Sequence, residues 1–140
     1  MPAGPFVWRY ASVQIDGVDL SNRVTSISWT ENTELQDDTA HGGPGARSRL
    51  PGLTDGSCDI TFKQDFSANN VDATLRDLQG SSAFPIVVRP DSTNGIGTNN
   101  PSRTVQVLLE SFTPFQGAIG ELATCTATFR FVGPVAIATA

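Results

Sequence analysis

A chain of 140 residues with 39% hydrophobic side chains has the length and composition of one globular domain rather than a disordered segment. Its net charge of −5 and single lysine, Lys63, argue against a cationic grip on DNA or anionic lipid. No apolar stretch approaches the roughly 18 residues of a membrane span, the opening "MPAGPFVWRY" lacks the basic start and apolar run of a signal peptide, and Cys58 and Cys125 form no CxxC, so a reduced cytosolic folding environment is expected.

Residues 7–20, "VWRYASVQIDGVDL", alternate around Asp16-Gly17, a hairpin signal. In "VTSISWTENTEL" Ile27 and Trp29 take one face while Ser26, Ser28 and Thr30 take the other. The stretch from Gln36 to Leu53 then turns polar and glycine-rich, with no large apolar side chain between Leu35 and Leu50, and reads as a long loop. "SCDITFKQDF" resumes the alternation: Cys58, Ile60 and Phe62 point one way, and Ser57, Asp59, Thr61 and Lys63 the other. In "SANNVDATLRDLQG", Val71, Leu75 and Leu78 make a narrow helical stripe. Asn69 or Asn70 is placed to cap its start and Gly80 to close its end. About ten residues cannot stand alone as a helix, so it must lie on a sheet. "FPIVVRP", the turn-rich "DSTNGIGTNNPS", "RTVQVLLESFTPF" and "ELATCTATFRFVG" complete the chain. In the last of these Ala123, Cys125, Ala127, Phe129 and Phe131 oppose Thr124, Thr126, Thr128 and Arg130. The expected architecture is mainly β: a sandwich or barrel of two packed antiparallel sheets, one flanking helix and a long β-hairpin loop, in a single domain spanning 1–140.

Catalytic constellations are weak. His41 is the only histidine and has no second His or Cys beside it, so a solvated loop residue is favoured over a metal ligand. No Gly-x-Ser-x-Gly elbow occurs, "GGPGARS" lacks the Gly-Lys-Ser/Thr of a phosphate loop, and "NGIGTNN" lacks the third glycine of a dinucleotide fingerprint. Cys58 and Cys125 read as core thiols, neighbours in one reading. No enzyme, cofactor or metal is expected.

The runs "IDGVDLSNRVTSIS", "ENTELQDDTAHGG" and "RLPGLTDGSCDITFKQDF", followed by the helix and two final strands, resemble the tail tube proteins of long-tailed phages over roughly residues 10–132. The segments 1–9 and 133–140 match nothing in that pattern and are read as interaction arms. The resemblance implies hexameric rings stacked into a hollow tube that DNA leaves through, with a virion-tail location after assembly in the host cytoplasm. It also implies tape measure, tail terminator and distal tail proteins as partners, and a long loop that orders against neighbouring copies. On that basis Asp37, Asp38, Arg47, Arg49, Leu50, Pro51 and Leu53 are the candidate intersubunit residues, with both arginines expected to reach acids of a neighbour. Glu31, Glu34, Asp59 and Thr61 are the candidate lumen face, with Lys63 and Arg130 expected to be paired with acids or placed at interfaces. Two alternatives stay open: a carbohydrate-binding or adhesin sandwich, and the tube of a contractile or type VI secretion machine.

Overall fold

The computed structural model describes residues 11–43, 45–91, 93 and 95–139. The expected hairpin is present as β1 (Ser12–Ile15) and β2 (Val18–Asp19). Asp16 and Gly17 both take positive φ, 50° and 81°, as a two-residue turn of this kind requires. Residues 7–10 of the expected hairpin, with Trp8, lie outside the described residues. A single 3-10 turn, Ser21–Arg23, leads into β3 (Val24–Asp37), which pairs with β4 (Arg49–Lys63). Next come α1 (Val71–Leu78), β5 (Phe84–Arg89), β6 (Ser102–Gln116), β7 (Thr124–Phe131) and β8 (Ala136–Ala138).

All pairings are antiparallel, in the order β2-β1-β5-β6-β7-β4-β3, with β8 against the start of β6. The two expected layers are therefore parts of one continuous sheet that curls. Laid flat, β3 would lie three strand spacings, roughly 14 Å, from β6. Instead Arg103 on β6 reaches Glu31 on β3 at 2.6 Å. Curling brings Val13 and Ile15 of β1 into the same core as Ile60 and Phe62 of β4, Ile86 of β5, Val107 of β6 and Phe129 of β7, all fully buried.

Val71, Leu75 and Leu78 of α1 join that core as its spacing predicts. The helix is eight residues long and starts after Asn70, whose side chain makes no capping hydrogen bond. Asn69 and Gly80 both take positive φ, so the chain enters and leaves the helix through left-handed residues. Cys58 and Cys125 are free and buried, and burial pushes their thiols up to about 12 and about 11. They are not neighbours: Cys58 stands opposite Phe129, and Cys125 opposite Phe62, four residues further along the same pair of strands.

The largest departure from the sequence reading is the segment 36–53. It is not one long loop. β3 runs on to Asp37 and β4 begins at Arg49, so Leu35 faces Pro51, Gln36 faces Leu50 and Asp37 faces Arg49; only residues 38–48 turn. The alternation that marks a half-buried strand is missing because neither face of this ribbon is buried. The C-terminal segment is also more structured than expected. β8 pairs with Ser102–Thr104 inside the chain's own sheet, while residues 1–9 lie outside the described residues.

Candidate functional site

Two surfaces come out of this architecture. One is an arm: the outer halves of β3 and β4, exposed from Thr30 to Asp55 apart from residue 44, which lies outside the described residues. Leu35, Leu50 and Leu53 stand in water on it, Leu53 at 77% exposure. Asp37 accepts hydrogen bonds from the Thr39 amide at 2.9 Å and from the Arg47 guanidinium at 2.9 Å. These bonds, those of Thr39 above all, hold the Asp37 carboxyl below the usual aspartate value. Arg47 therefore has an acid within its own chain, and the reason the sequence hid it is the hairpin turn, which folds residue 47 back over residue 37. The Thr39 hydroxyl and the Ser48 amide close the same turn at 2.8 Å. Asp38, Arg49, Leu50 and Pro51 are all exposed on the arm, and His41 is exposed at its tip.

The second surface is the outer face of β3, β4, β7 and β6. Register makes rows across it. Ser26, Thr61, Thr126 and Thr113 are successive partners in one row, and Ser28, Asp59, Thr128 and Ser111 in the next. A third row is Thr30, Ser57, Arg130 and Leu108. The opposite face of the same strands carries Ile27, Ile60, Ala127 and Phe112, then Trp29, Cys58, Phe129 and Leu109, turned to the core. A sheet with hydroxyls on one side and hydrocarbon on the other is what period-two alternation produces when only one face is covered. Thr126 donates to Gln116 at 2.9 Å and lies 3.5 Å from the Thr61 hydroxyl. Two cations lie on this face: Lys63, opposite Thr124 and in no ion pair among the described residues, and Arg130, which is bound to Glu110 at 2.7 Å, a hydrogen bond that favours its protonated form.

The four candidate lumen residues do not share one surface. Asp59 and Thr61 are on the hydroxyl face, and Glu34 continues it by alternation along β3. Glu31 is on the other face. It accepts a hydrogen bond from the Trp29 indole at 2.9 Å and pairs with Arg103, at the edge of a cavity of about 430 Å³ also lined by Ile27, Val88 and Pro90. The curl of the sheet is the cause: Glu31 on the edge strand β3 reaches Arg103 on β6, three strands away in the sheet order, and nothing in the spacing of Trp29 and Glu31 announces Arg103. Trp29 is packed against Phe131, with ring centroids 5.0 Å apart, so it offers no free aromatic platform. Among the described residues no group of three or more His, Cys, Asp or Glu is placed to hold a metal ion.

No family model matches the sequence, and no curated protein matches it. Solved structures do. A chain from the tail of an empty gene transfer agent particle, refined helically with C6 symmetry, superposes at a TM-score of 0.72 with 12% identity over 93% of this chain and 95% of that one. The SPP1 tail tube superposes at 0.74 with 13% identity over 97% and 80%. A chain of the PVC sheath–tube complex of an extracellular contractile injection system, in its extended state, superposes at 0.71 with 15% identity over 99% and 94%. With identities this low and coverage this complete, what is shared is the fold, and the curled antiparallel sheet with its one short helix is the fold found in these tail and tube assemblies.

Proposed function

We propose that this chain is a structural subunit that closes into six-membered rings, which stack into the hollow tail tube of a phage particle. The observation that carries the proposal is the arm. An antiparallel ribbon with exposed leucines and no core of its own gains nothing for the isolated subunit and is suited to contact with other copies. The fold likeness to a C6 tail supplies the symmetry. Negative-stain microscopy of the concentrated protein tests the proposal: rings or tubes are expected, and a persistent monomer overturns it.

In that assembly the hydroxyl face lines the channel. Its rows of serine and threonine give a smooth wall, Asp59 adds negative charge, and Arg130 is neutralised by Glu110. Six copies carry six times −5, or −30, formally. Distributed negative charge gives passing DNA no stopping point, whereas clustered cations would hold it through counterion release. Asp59→Lys with Thr61→Lys is expected to leave assembly intact and to slow DNA ejection from a particle built with it; unchanged ejection removes this face from the channel. Tape measure, terminator and distal tail proteins are the partners such a tube would meet.

A tube of a contractile injection machine is the second reading, favoured by an equally complete superposition on the PVC chain. A glycan-binding module has less support, because Trp29 is engaged by Phe131 and Glu31 rather than displayed.

A further inference from the structure

The arm joins the enclosed part of the sheet where Glu31 of β3 and Gly56 of β4 are register partners. Beyond them both strands of the ribbon are exposed. An uncovered two-stranded ribbon is marginal by itself, so the arm's direction has to be set at this root. Gly56 contributes no side chain to it. On the core side Trp29 packs against Phe131, and the Glu31 carboxylate reaches across the curl to β6. One of its oxygens, Oε1, accepts from both the Trp29 indole at 2.9 Å and the Arg103 guanidinium at 2.6 Å.

Arg103 is a firm anchor. It stands on a strand paired on both sides, opposite Val88 of β5 and Ile137 of β8. β3 is instead an edge strand with β4 as its neighbour in the sheet. Among the described residues no other hydrogen bond or ion pair joins β3 to β5, β6 or β8. The cavity of about 430 Å³ opens at the pair, with Ile27 and Trp29 on the β3 side and Val88, Pro90 and Pro101 on the other. The seam is therefore bridged by charge beside an unfilled space.

We infer that Glu31 and Arg103 form a latch that fixes the direction of the arm in the single subunit. Closed, the latch holds β3 to β6 and keeps the Trp29 indole engaged. Open, the root pivots at Gly56, water enters the cavity and the indole becomes accessible. The two side chains are 42% and 40% exposed, so the pair favours the closed form by a modest factor, roughly five-fold at most. A device of that size adjusts a direction and does not hold the fold together. The latch belongs to one subunit and does not depend on the tube reading. In a tube, an arm already fixed in direction would lose less freedom on meeting another copy.

The test follows the arm's direction in the full chain at monomeric concentration. Spin labels on His41→Cys at the arm's tip and Asp77→Cys on α1, both exposed positions, report it as a distance distribution. The native thiols are buried and held protonated, so they take up little label. With the latch intact the distribution should be narrow. Glu31→Gln and Arg103→Met, the latter keeping an unbranched stem along the cavity, should each broaden it at an unchanged melting temperature. The two combined should broaden it no further, because either change alone opens the latch. Single variants as narrow as the parent, or broadening that adds up in the combined variant, overturn the latch. A second measurement needs no label. In a Trp8→Phe chain Trp29 is the only tryptophan, and its quenching by acrylamide should rise roughly two- to three-fold when Glu31→Gln or Arg103→Met is added. Quenching that stays unchanged in both also overturns the proposal.

Discussion

The two halves of the β3–β4 hairpin are one pair of strands, in a single register from Ser26–Thr61 to Thr33–Thr54, yet they behave as different materials. From Gly56 to Lys63, β4 alternates buried positions with exposed or partly exposed ones, with Cys58, Ile60 and Phe62 fully enclosed; from Arg49 to Asp55 every residue is exposed. The ladder is continuous across the boundary, so hydrogen bonding does not distinguish the halves. What changes is what lies over the sheet: α1 and the curled-back β1 and β5 on one side of the boundary, and water on the other. Backbone pairing sets the path of the chain here, and apolar coverage decides which part of that path holds the monomer together.

The largest expected effect tests the covered half. Phe129 is fully enclosed and stands opposite Cys58. Phe129→Ala should cost about 3–5 kcal/mol of unfolding free energy, read from urea denaturation. Leu53→Ala, on the arm, should change the same measurement by less than about 0.5 kcal/mol while weakening polymerisation. Similar losses for the two would mean that the arm packs on its own subunit.

Gly56 stands at the junction. A Cβ there would meet the Phe131 ring and the Thr30 carbonyl at 2.5 Å each. The carbonyl belongs to the paired strand and cannot swing aside, so the strands must separate. Gly56→Ala should cost about 1–3 kcal/mol and loosen the arm's root, visible as a lower denaturation midpoint with the slope preserved. A neutral outcome would mean that the two halves are joined less tightly than their common ladder implies.

Hydrogen exchange gives an intermediate effect. In the isolated subunit, amides of residues 30–37 and 49–55 should exchange well ahead of those in 57–63, although both sets are strand. In the tubes proposed above the difference should close. Slow exchange throughout the free subunit would show that the arm is stabilised without neighbours.

Much of this contrast could be read from the residues, and the exceptions share a cause. Cys58, Ile60 and Phe62, the Val71–Leu75–Leu78 stripe, and the threonines opposite Cys125 and Phe129 follow from local periodicity, because one face of each element meets the core. The arm's strands were invisible to the same reasoning: with both faces in water, Leu35, Leu50 and Leu53 carry no alternation, and a glycine-rich turn resembles a loop on either side of its tip. Glu31 and Asp59 look alike in the sequence because both are acids near the same strands. The partnership of Glu31 with Arg103, 72 residues away, depends on the curl of the whole sheet. The exposed Phe66 and Phe115 rings meet across 49 residues of sequence, so no window of sequence displays them together.

The smallest expected effect is a difference in acid sensitivity between the halves. Asp65 lies where the chain leaves β4 for α1. It accepts from the Ser67 hydroxyl and amide and pairs with Arg23 at 3.0 Å, and these hydrogen bonds, those of Ser67 first, lower its carboxyl from 3.8. Asp37, on the arm, is lowered from 3.8 as well, chiefly by Thr39. A carboxyl whose folded value lies below its unfolded one stabilises the fold above the unfolded value, and that contribution disappears as pH falls through the folded one. Both groups therefore act at neutral pH and fail below 3.8. They should fail differently. Asp65 ties the β4–α1 connection to Arg23 beside the core, so Asp65→Asn should flatten the acid limb of global stability, followed as the urea midpoint from about pH 7 down to about pH 2. Asp37 ties only the arm's turn to itself, so Asp37→Asn should leave that limb unchanged and alter only the chemical shifts of Thr39, Arg47 and Ser48. If Asp37→Asn moves the global acid limb as far as Asp65→Asn does, the arm and the enclosed half of the hairpin unfold as one unit, and the boundary at Gly56 has no thermodynamic meaning.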